Sequence, residues 1–440
     1  MRLRKFIFIT SILLGAIQSA TAQNQLVTYP APKGAELMND FTVKVREAGK
    51  DWKSIDTYLV KVDEVRKTQH NVENASMSYF DFSGEVEVSV TFNHGTIQTG
   101  RIRPLSYGIT PSIEGNTMTF KLDRPRNLSV EVNGDIFHNL HLFANPIDEN
   151  KPRKLKDKNL IYFGPGIHTF PGDTLNVPSG KTVYVAGGAL VKGCIQVVHA
   201  QNVKILGRGI VIPERRAGLR IVNSKNVLVE GVITTQCPTG GSDSITIRNV
   251  KSISSYGWGD GMNVFASNNV LFDGVFCRNS DDCTTVYGTR LGFTGGCKNI
   301  TMQNSTLWAD VAHPIFIGIH GDVENPEILE NVFRVPDGYF ENLTSEVMSR
   351  LPEKETPAII KREPTKWERI KPWVYMTAMF AGAALIIRVA STDRTPVNNR
   401  MAMDEPETEV VSDEYISAVL DNSMLDDYSL YVYLTDAGAE

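Results

Sequence analysis

Apolar and polar residues alternate along much of the chain after residue 76. In residues 85–92, Val86, Val88, Val90 and Phe92 alternate with polar side chains, which is the period of a strand with one buried face. Further short runs of the same kind are separated by glycine, asparagine or proline turns: Thr117–Leu122, 128–132 and 140–143. Short strands joined by such turns predict an antiparallel β-sandwich within residues 23–150.

Two neighbouring segments break this pattern. Residues 42–66 carry a weak helical pattern, so a helix is expected in that part of the chain. The polar and basic run 148–158 is typical of a linker or an exposed connection.

A second pattern, an internal repeat, begins at Asn159. Each unit has a small polar residue, an asparagine and then alternating apolar residues, as in Gln201-Asn202-Val203-Lys204-Ile205. The asparagine slot recurs at steps of 24, 18, 25 and 30 residues, occupied by Asn202, Asn226, Ser244, Asn269 and Asn299. Such irregular steps suit short strands whose turns absorb insertions, so the repeat predicts a right-handed parallel β-helix over residues 159–330. The recurrent asparagines are then expected to stack at one corner of the coil.

Composition and charge narrow the function classes. The 440 residues include 45 Lys and Arg against 50 Asp and Glu, a net charge of −5 that argues against a general nucleic-acid binder. Residues 1–22 have a basic start, an apolar core and the cleavage-type ending Ala20-Thr21-Ala22, which predicts a signal peptide. Its apolar run is too short for a membrane anchor. The mature chain is therefore expected to be periplasmic or secreted, and the C-terminal part described below adds the alternative of membrane anchoring.

The five cysteines are Cys194, Cys237, Cys277, Cys283 and Cys297. Their spacing matches no zinc pattern, and their number is too low for a disulfide-built scaffold. We interpret them as free thiols in the repeat core. A Cys277–Cys283 or Cys283–Cys297 bridge stays open as an alternative in an oxidising compartment.

Three aspartates carry the candidate chemistry. Asp260 precedes Asp281 by 21 residues, about one turn of the repeat, and neighbouring strands lie only about 4.8 Å apart. Asp281 and Asp282 are adjacent, so both can reach one site only at a bend or bulge. Carboxylates held this close repel one another, so one keeps its proton while another stays ionised. Hydrolysis of a glycosidic bond needs this combination of an acid and a base.

Other readings of the aspartates are solvated corner residues or a calcium site. Trp258 as a sugar-stacking platform, together with Asp310 and His313, favours catalysis over both. Arg290 is a further candidate for substrate binding. The catalytic reading requires no cofactor and no metal.

The same block resembles the inverting glycoside hydrolases built on β-helices, namely polygalacturonases of family 28 and dextranases of family 49. The polygalacturonase pattern is Asn-Thr-Asp-Gly, an Asp-Asp pair one coil later, and Gly-His-Gly. The corresponding segments here are Gly259-Asp260-Gly261, Ser280-Asp281-Asp282 and Ala312-His313-Pro314. Residues 139–146 and 306–314 resemble dextranase segments, so the resemblance covers roughly residues 117–322.

The resemblance also implies a role for each residue of the block. Asp281 would be the general acid, Asp260 and Asp282 would activate the water, and His313 would orient or tune the acid, with a structural role of His313 as the alternative. Two rival functions remain. One is a non-catalytic β-helix that binds polysaccharide or acts as an adhesin. The other is a polysaccharide lyase, for which Lys298 or Arg290 would be the base.

The last part of the chain departs from the repeat. Residues 331–371 are charged and helical in pattern, and residues 372–390 form a candidate transmembrane helix with Trp373 and Tyr375 as interfacial anchors. A buried helix is the alternative for this segment. Residues 391–440 become acidic, with no Lys or Arg after Arg400, which predicts a partly disordered tail.

Residues 331–440 resemble an unrelated single-span membrane protein type of Bacteroidetes, through Val335-Pro336-Asp337-Gly338-Tyr339-Phe340. We therefore hypothesise a fusion or chimera joined near residues 323–333. The β-helix would then be truncated, and the hydrolase activity would be lowered or lost. A membrane-tethered regulator is a further alternative for the intact chain.

Overall fold

A computed structural model describes residues 24–66, 69–214, 217–255 and 259–329. The chain divides into two units, residues 1–334 and 335–440, and every described residue belongs to the first. The predicted signal peptide and the predictions for residues 331–371, 372–390 and 391–440 lie outside the described residues. Among the residues that are described, no helix is long and apolar enough to cross a membrane.

The N-terminal module consists of eleven strands and one 3-10 turn, Leu105–Tyr107. The strands are β1 (Gln25–Thr28), β2 (Phe41–Glu47), β3 (Lys53–Ile55), β4 (Tyr58–Arg66), β5 (Gln69–Ser83), β6 (Val86–Phe92), β7 (Gly100–Arg103), β8 (Ser112–Glu114), β9 (Thr117–Leu122), β10 (Arg126–Val132) and β11 (Asp135–Pro146). One sheet has the order β1-β5-β11-β10-β7 with β4 beside β5, and the other has the order β3-β2-β6-β9-β8. All pairs are antiparallel except β5 with β11.

The two sheets of the N-terminal module share one apolar core. Val43 and Val88 of one sheet are buried in the same cluster as Phe80, Leu128 and Val130 of the other. The packing of these sheets as a sandwich stays a prediction.

The helix expected over residues 42–66 is wrong, because β2, β3 and β4 occupy this region. In β2, the buried residues Phe41, Val43 and Val45 alternate with the exposed residues Thr42 and Lys44. Alternation of buried and exposed residues with a period of two is the pattern of a strand. The weak helical signal does not place the apolar residues on one face of a helix.

Within the described residues after 159, twenty strands follow in a coil. They are β12 (Leu160–Phe163), β13 (Gly166–Asn176), β14 (Thr182–Val185), β15 (Ala189–Val198), β16 (Gln201–Gly207), β17 (Ile210–Val211), β18 (Leu219–Val222), β19 (Lys225–Glu230), β20 (Ile233–Thr234), β21 (Thr239–Gly240), β22 (Asp243–Arg248), β23 (Lys251–Ser254), β24 (Val264–Phe265), β25 (Asn268–Asp273), β26 (Phe276–Asn279), β27 (Thr285–Tyr287), β28 (Cys297–Gln303), β29 (Thr306–Ala309), β30 (Phe316–Ile317) and β31 (Val323–Leu329).

The strands of the coil form three parallel faces. The first face is the eight-stranded sheet β12-β14-β16-β19-β22-β25-β28-β31. The second face, β17-β20-β23-β26-β29, and the third face, β18-β21-β24-β27-β30, are joined through β15. Because strands of successive coils pair in parallel register, the chain forms the predicted parallel β-helix, whose hand stays a prediction. The coil continues through Leu329, so residues 323–329 of the hypothesised junction belong to it.

Each coil buries apolar side chains against the next. Val203, Val227, Ile245, Val270 and Ile300 occupy one register position on five successive strands of the first face. All five side chains are buried in the core of the coil.

The cysteines are free, as interpreted from the sequence. Cys237, Cys277, Cys283 and Cys297 are buried, and Cys194 is partly buried. Burial raises the pKa of the Cys237 thiol to about 12, so this side chain behaves as an apolar filler.

The predicted asparagine ladder is present at one corner. The amide of Asn226 donates to Asn202 Oδ1 at 2.6 Å, and that of Asn299 donates to Asn269 Oδ1 at 2.8 Å. Asn325 extends the ladder by one coil, since its amide lies 3.2 Å from Asn299 Oδ1. The ladder residues adopt left-handed backbone angles, with φ of 58° at Asn299, which asparagine tolerates better than most residues.

Substitution of Asn299 tests the ladder. Asn299→Ala removes two amide hydrogen bonds of the ladder. It also leaves alanine at a positive φ, which alanine tolerates less well than asparagine because it has no polar side chain to bond to the nearby backbone. We expect a loss of about 2–3 kcal/mol in the free energy of unfolding. Asn299→Gly is the control, because it loses the amide but relieves the backbone, and it should cost about 1 kcal/mol less than Asn299→Ala. Urea unfolding followed by circular dichroism measures the free energy of unfolding of both variants. Equal losses in the two variants would contradict a contribution from backbone strain at positive φ.

The N-terminal module packs on the second face of the coil. Val60, Met77 and Phe143 from the module form one buried cluster with Ile233 and Phe276 from the coil. The module therefore covers the second face. It leaves the corner between the second and third faces partly exposed, where the side chain of His313 is 58% accessible.

Candidate active site

The three candidate aspartates lie together at the corner between the second and third faces. The N–H of Asp281 donates to Gly259 O at 3.2 Å, and the N–H of Gly261 donates to Asp282 O at 2.9 Å. Asp260 therefore lies beside the Asp281–Asp282 pair on the adjacent coil, as the 21-residue spacing predicts.

The residues between β26 and β27 form the bend that the adjacent aspartates require. Burial raises the pKa of the Tyr287 phenol, and the negative charges of Asp282, Asp260 and Asp281 raise it further, while Arg290 opposes them. All three carboxylates thus act on the same side chain of the third face. Asp282 is 8% exposed, and Asp260 and Asp281 are half-buried.

Hydrogen-bond donors hold two of the carboxylates. Asn263 Nδ2 donates to Asp260 Oδ2 at 2.5 Å, and Asn263 Oδ1 accepts the N–H of Thr285 at 3.0 Å. Asp282 Oδ1 accepts from both the backbone N–H and Nδ1 of His313, each at 2.9 Å. His313 therefore joins the site, and this contact fixes a proton on its Nδ1.

A buried amide fixes the backbone beneath Asp260. Asn279 Nδ2 donates to Ser252 Oγ at 3.0 Å, to Ser254 Oγ at 2.8 Å and to Asp260 O at 3.2 Å. A Cβ at position 261 would collide with Asn279 Oδ1 and Cys283 O, so Gly261 is required for the close approach of the two coils.

Aromatic and basic side chains line the third-face side of the corner. The ring of Tyr287 lies 4.9 Å from that of His320, edge to face, and the ring of His313 lies 4.6 Å from that of Phe316. The guanidinium of Arg290 lies 5.9 Å from the Tyr287 ring centroid and 3.3 Å from His320 Nε2. Burial and the nearby Arg290 charge lower the pKa of His320. Arg290 follows β27 whereas Asp281 and Asp282 precede it, so these residues lie at opposite ends of this strand, and their charges all act on Tyr287.

The remaining candidates lie elsewhere. The Asp310 side chain is only 1% exposed and pairs with Arg278, so its carboxylate lies beneath the surface of the corner. Trp258 is outside the described residues, and its role as a sugar platform stays a prediction. Lys298 lies on the first face, where its Nζ is 2.9 Å from Glu324 Oε1. Among the described residues, no group of three or more His, Cys, Asp or Glu side chains is arranged to hold a metal ion.

The sequence reasoning missed Asn263, Asn279 and Arg278. Asn263 follows Asp260 by three residues, and this short spacing was its only signal. Nothing local identifies Arg278, because its partners Asn139 and His141 come from β11.

No protein-family model and no curated protein matches the chain. Among solved structures, Dex49A from Penicillium minioluteum is similar with a TM-score of 0.39 and 14% identity over 71% of this chain and 87% of that chain. The family 28 exopolygalacturonase of Yersinia enterocolitica is similar with a TM-score of 0.29 and 10% identity over 55% of this chain and 71% of that one. We therefore infer the function from the side chains of the site. The resemblance of residues 331–440 to a membrane protein stays a prediction.

Proposed function

We propose that the chain is a glycoside hydrolase that cleaves a polysaccharide with paired aspartates. One observation carries the proposal: Asp260 on one coil lies beside the Asp281–Asp282 bend on the next, as the backbone bonds of Gly259 and Gly261 require. Aspartates on adjacent coils can supply the acid and the base that hydrolysis of a glycosidic bond requires.

The surroundings suggest a role for each aspartate. Donors from Asn263 and His313 face Asp260 and Asp282, which suits carboxylates that work in the ionised form. The resemblance of the motifs makes Asp281 the general acid, which protonates the glycosidic oxygen of the leaving sugar. Asp260 and Asp282 take a proton from the water that attacks the anomeric carbon. Inversion at that carbon follows from the resemblance of the motifs.

The rim of the corner offers surfaces for sugar rings. The rings of His313 and Phe316 pack against each other in a tilted arrangement at the partly exposed edge, and Arg290 beside Tyr287 has guanidinium donors for sugar oxygens. Trp258 would add a platform one residue before Gly259. His313 contacts Asp282 and Phe316 contacts His313, so a polysaccharide chain bound along this rim would present its glycosidic bond to the aspartates.

The lyase alternative fits the geometry less well. A lyase needs a basic side chain that takes the proton next to a uronic carboxylate. Lys298 lies on the first face in contact with Glu324, and Arg290, the other sequence candidate, follows β27 and contacts Tyr287.

A panel of polysaccharides tests the function. The hydrolase proposal predicts new reducing ends without ultraviolet-absorbing products, and NMR of the first product should show an anomer opposite to that of the cleaved bond. Ultraviolet-absorbing unsaturated ends would identify a lyase instead. Binding without any cleavage in the panel would support the non-catalytic reading and overturn the proposal.

Export is part of the proposal. It rests on residues 1–22, which predict a periplasmic or secreted enzyme, while membrane association rests on residues 372–390. Both segments lie outside the described residues, and fractionation of expressing cells into periplasm, membrane and medium tests them together.

A further inference from the structure

The buried ion pair of Arg278 and Asp310 lies directly beneath the candidate site. Arg278 Nε lies 3.2 and 3.3 Å from the two Asp310 oxygens, and Nη2 lies 3.2 Å from Oδ1. The two side chains are 0% and 1% exposed. Burial raises the pKa of Asp310, and the charge of Arg278 opposes that rise.

This pair joins the same two coils as the Asp282–His313 pair. Arg278 precedes Asp282 by four residues, and Asp310 precedes His313 by three. Backbone bonds accompany both pairs, from Asp310 N to Asn279 O at 2.8 Å and from Cys283 N to His313 O at 2.9 Å. The two connections that contain the site residues are therefore held at their beginning by the Arg278–Asp310 ion pair and at their end by the Asp282–His313 hydrogen bonds.

The N-terminal module holds the Arg278–Asp310 pair in place. Arg278 Nη1 lies 2.9 Å from Asn139 Oδ1 and 3.3 Å from His141 Nε2. Asp310 Oδ2 accepts the N–H of Asp63 in β4 at 3.3 Å. Burial, together with the Arg278 charge, holds the pKa of His141 well below its usual range, so its ring is neutral and accepts from the guanidinium.

A need for stability alone explains this arrangement poorly. A buried ion pair costs several kcal/mol to desolvate, and apolar side chains of similar volume are often equally stabilising or better. What the pair adds is a fixed geometry, because Nε of the planar guanidinium is hydrogen-bonded to Asp310 while Nη1 is hydrogen-bonded to Asn139.

We propose that Arg278 and Asp310 are positioning residues for the Asp281–Asp282 bend and His313, and that the N-terminal module is thereby part of the catalytic unit. This inference rests on the proposed function. The module acts on the site through Asn139 and His141, whose side chains contact Arg278 but lie away from the corner itself.

The test replaces the charged pair by an apolar pair in the full chain, as Arg278→Met with Asp310→Leu. We expect the unfolding midpoint to fall, because Asn139 Oδ1 and the Asp63 N–H lose their partners. In the folded variant, kcat falls by about tenfold or more and KM changes by less than about twofold. Hydrogen–deuterium exchange should rise in the peptide that contains His313, because its N–H donates to Asp282. Arg278→Lys keeps the charge and should recover part of kcat.

A matched control is the cross-coil pair of Arg248 and Asp273 on the first face, whose Nε–Oδ2 distance is 3.3 Å. Arg248→Met with Asp273→Leu should leave kcat and the exchange at His313 unchanged. If the first double variant does not fold, Asn139→Leu is the substitute, because it removes the Asn139 oxygen that accepts from Arg278. It should likewise lower kcat and raise the exchange at His313.

Wild-type kcat together with wild-type exchange in a folded variant overturns the inference. The exchange measurement needs no turnover, so it decides the positioning role even if the wild type cleaves nothing in the polysaccharide panel. That second result would instead count against the proposed function.

Discussion

Asp281→Asn lowers kcat by about 10³-fold on the polysaccharide that the wild type cleaves, with little change in KM. The amide keeps the size of the carboxyl group but carries no acidic proton, so the leaving oxygen departs unprotonated. Asp281 lies in the bend between β26 and β27 and contributes its backbone N–H to Gly259 O, a contact that the substitution retains. Release of reducing ends under saturating substrate measures the effect.

Substrates with different leaving groups separate the acid from the base. An aryl glycoside with a good leaving group needs little protonation, so Asp281→Asn should lose much less activity on it than on the polysaccharide. Asp260→Asn removes the base side and should lose similar activity on both substrates. Asp273→Asn on the first face is the control and should behave as the wild type. Full activity of Asp281→Asn on the polysaccharide would remove this residue as the acid.

Arg208→Met is expected to lower the free energy of unfolding by about 3–5 kcal/mol, because it leaves a buried carboxylate without its cation. Arg208 Nε lies 3.2 and 3.0 Å from the Asp81 oxygens, and Tyr29 Oη donates to Asp81 Oδ2 at 2.8 Å. The Arg208 and Asp81 side chains are 3% and 0% exposed. The pair connects β5 of the module to the coil, so its loss weakens the interface between them.

The effect of Arg208→Met should depend on pH. Burial raises the pKa of Asp81, while Arg208 and Tyr29 lower it. Without Arg208 the folded-state pKa rises further above that of the unfolded chain. The variant should therefore be closest to the wild type at acid pH, where Asp81 is protonated, and lose stability as the pH rises through the raised pKa.

Urea unfolding at several pH values measures this loss, and the exposed pair of Lys298 and Glu324 provides the control. Their side chains are 51% and 62% exposed, so Lys298→Met should cost less than about 1 kcal/mol. Adding Asp81→Leu to Arg208→Met removes the orphaned charge and should recover most of the stability. An Arg208→Met variant as stable as the Lys298→Met variant would show that the buried pair contributes no net stability.

The parts of the fold that repeat in sequence were predictable. The asparagine slot sets the corner, and the structure places even Ser244 in that slot, at φ 60°. The one-coil spacing of Asp260 and Asp281 then follows from the same repeat, since residues one coil apart become neighbours. Local periodicity suffices here because each coil contacts mainly the coils before and after it.

The parts that depend on distant contacts were not predictable. Asp310 lies three residues before His313 and looked like a residue of the site, yet its partner Arg278 lies on another coil and is bound by Asn139, 139 positions away in sequence. No pattern within a short window records such a contact. The helix expected over residues 42–66 is wrong for another reason: the alternation of buried and exposed residues in β2 outweighs the weak helical signal.

The apolar strip that the N-terminal module presents to the second face has a consequence for biogenesis. The module precedes the coil in the sequence, so it leaves the ribosome or a translocation channel first. Each new coil can then pack against a module that has already been synthesised. The coil residues that do so, in chain order, are Leu190, Ile210, Ile233, Ile253 and Phe276. Assembly from the N-terminal end would keep the apolar second face of the partly synthesised β-helix covered before its later coils are made.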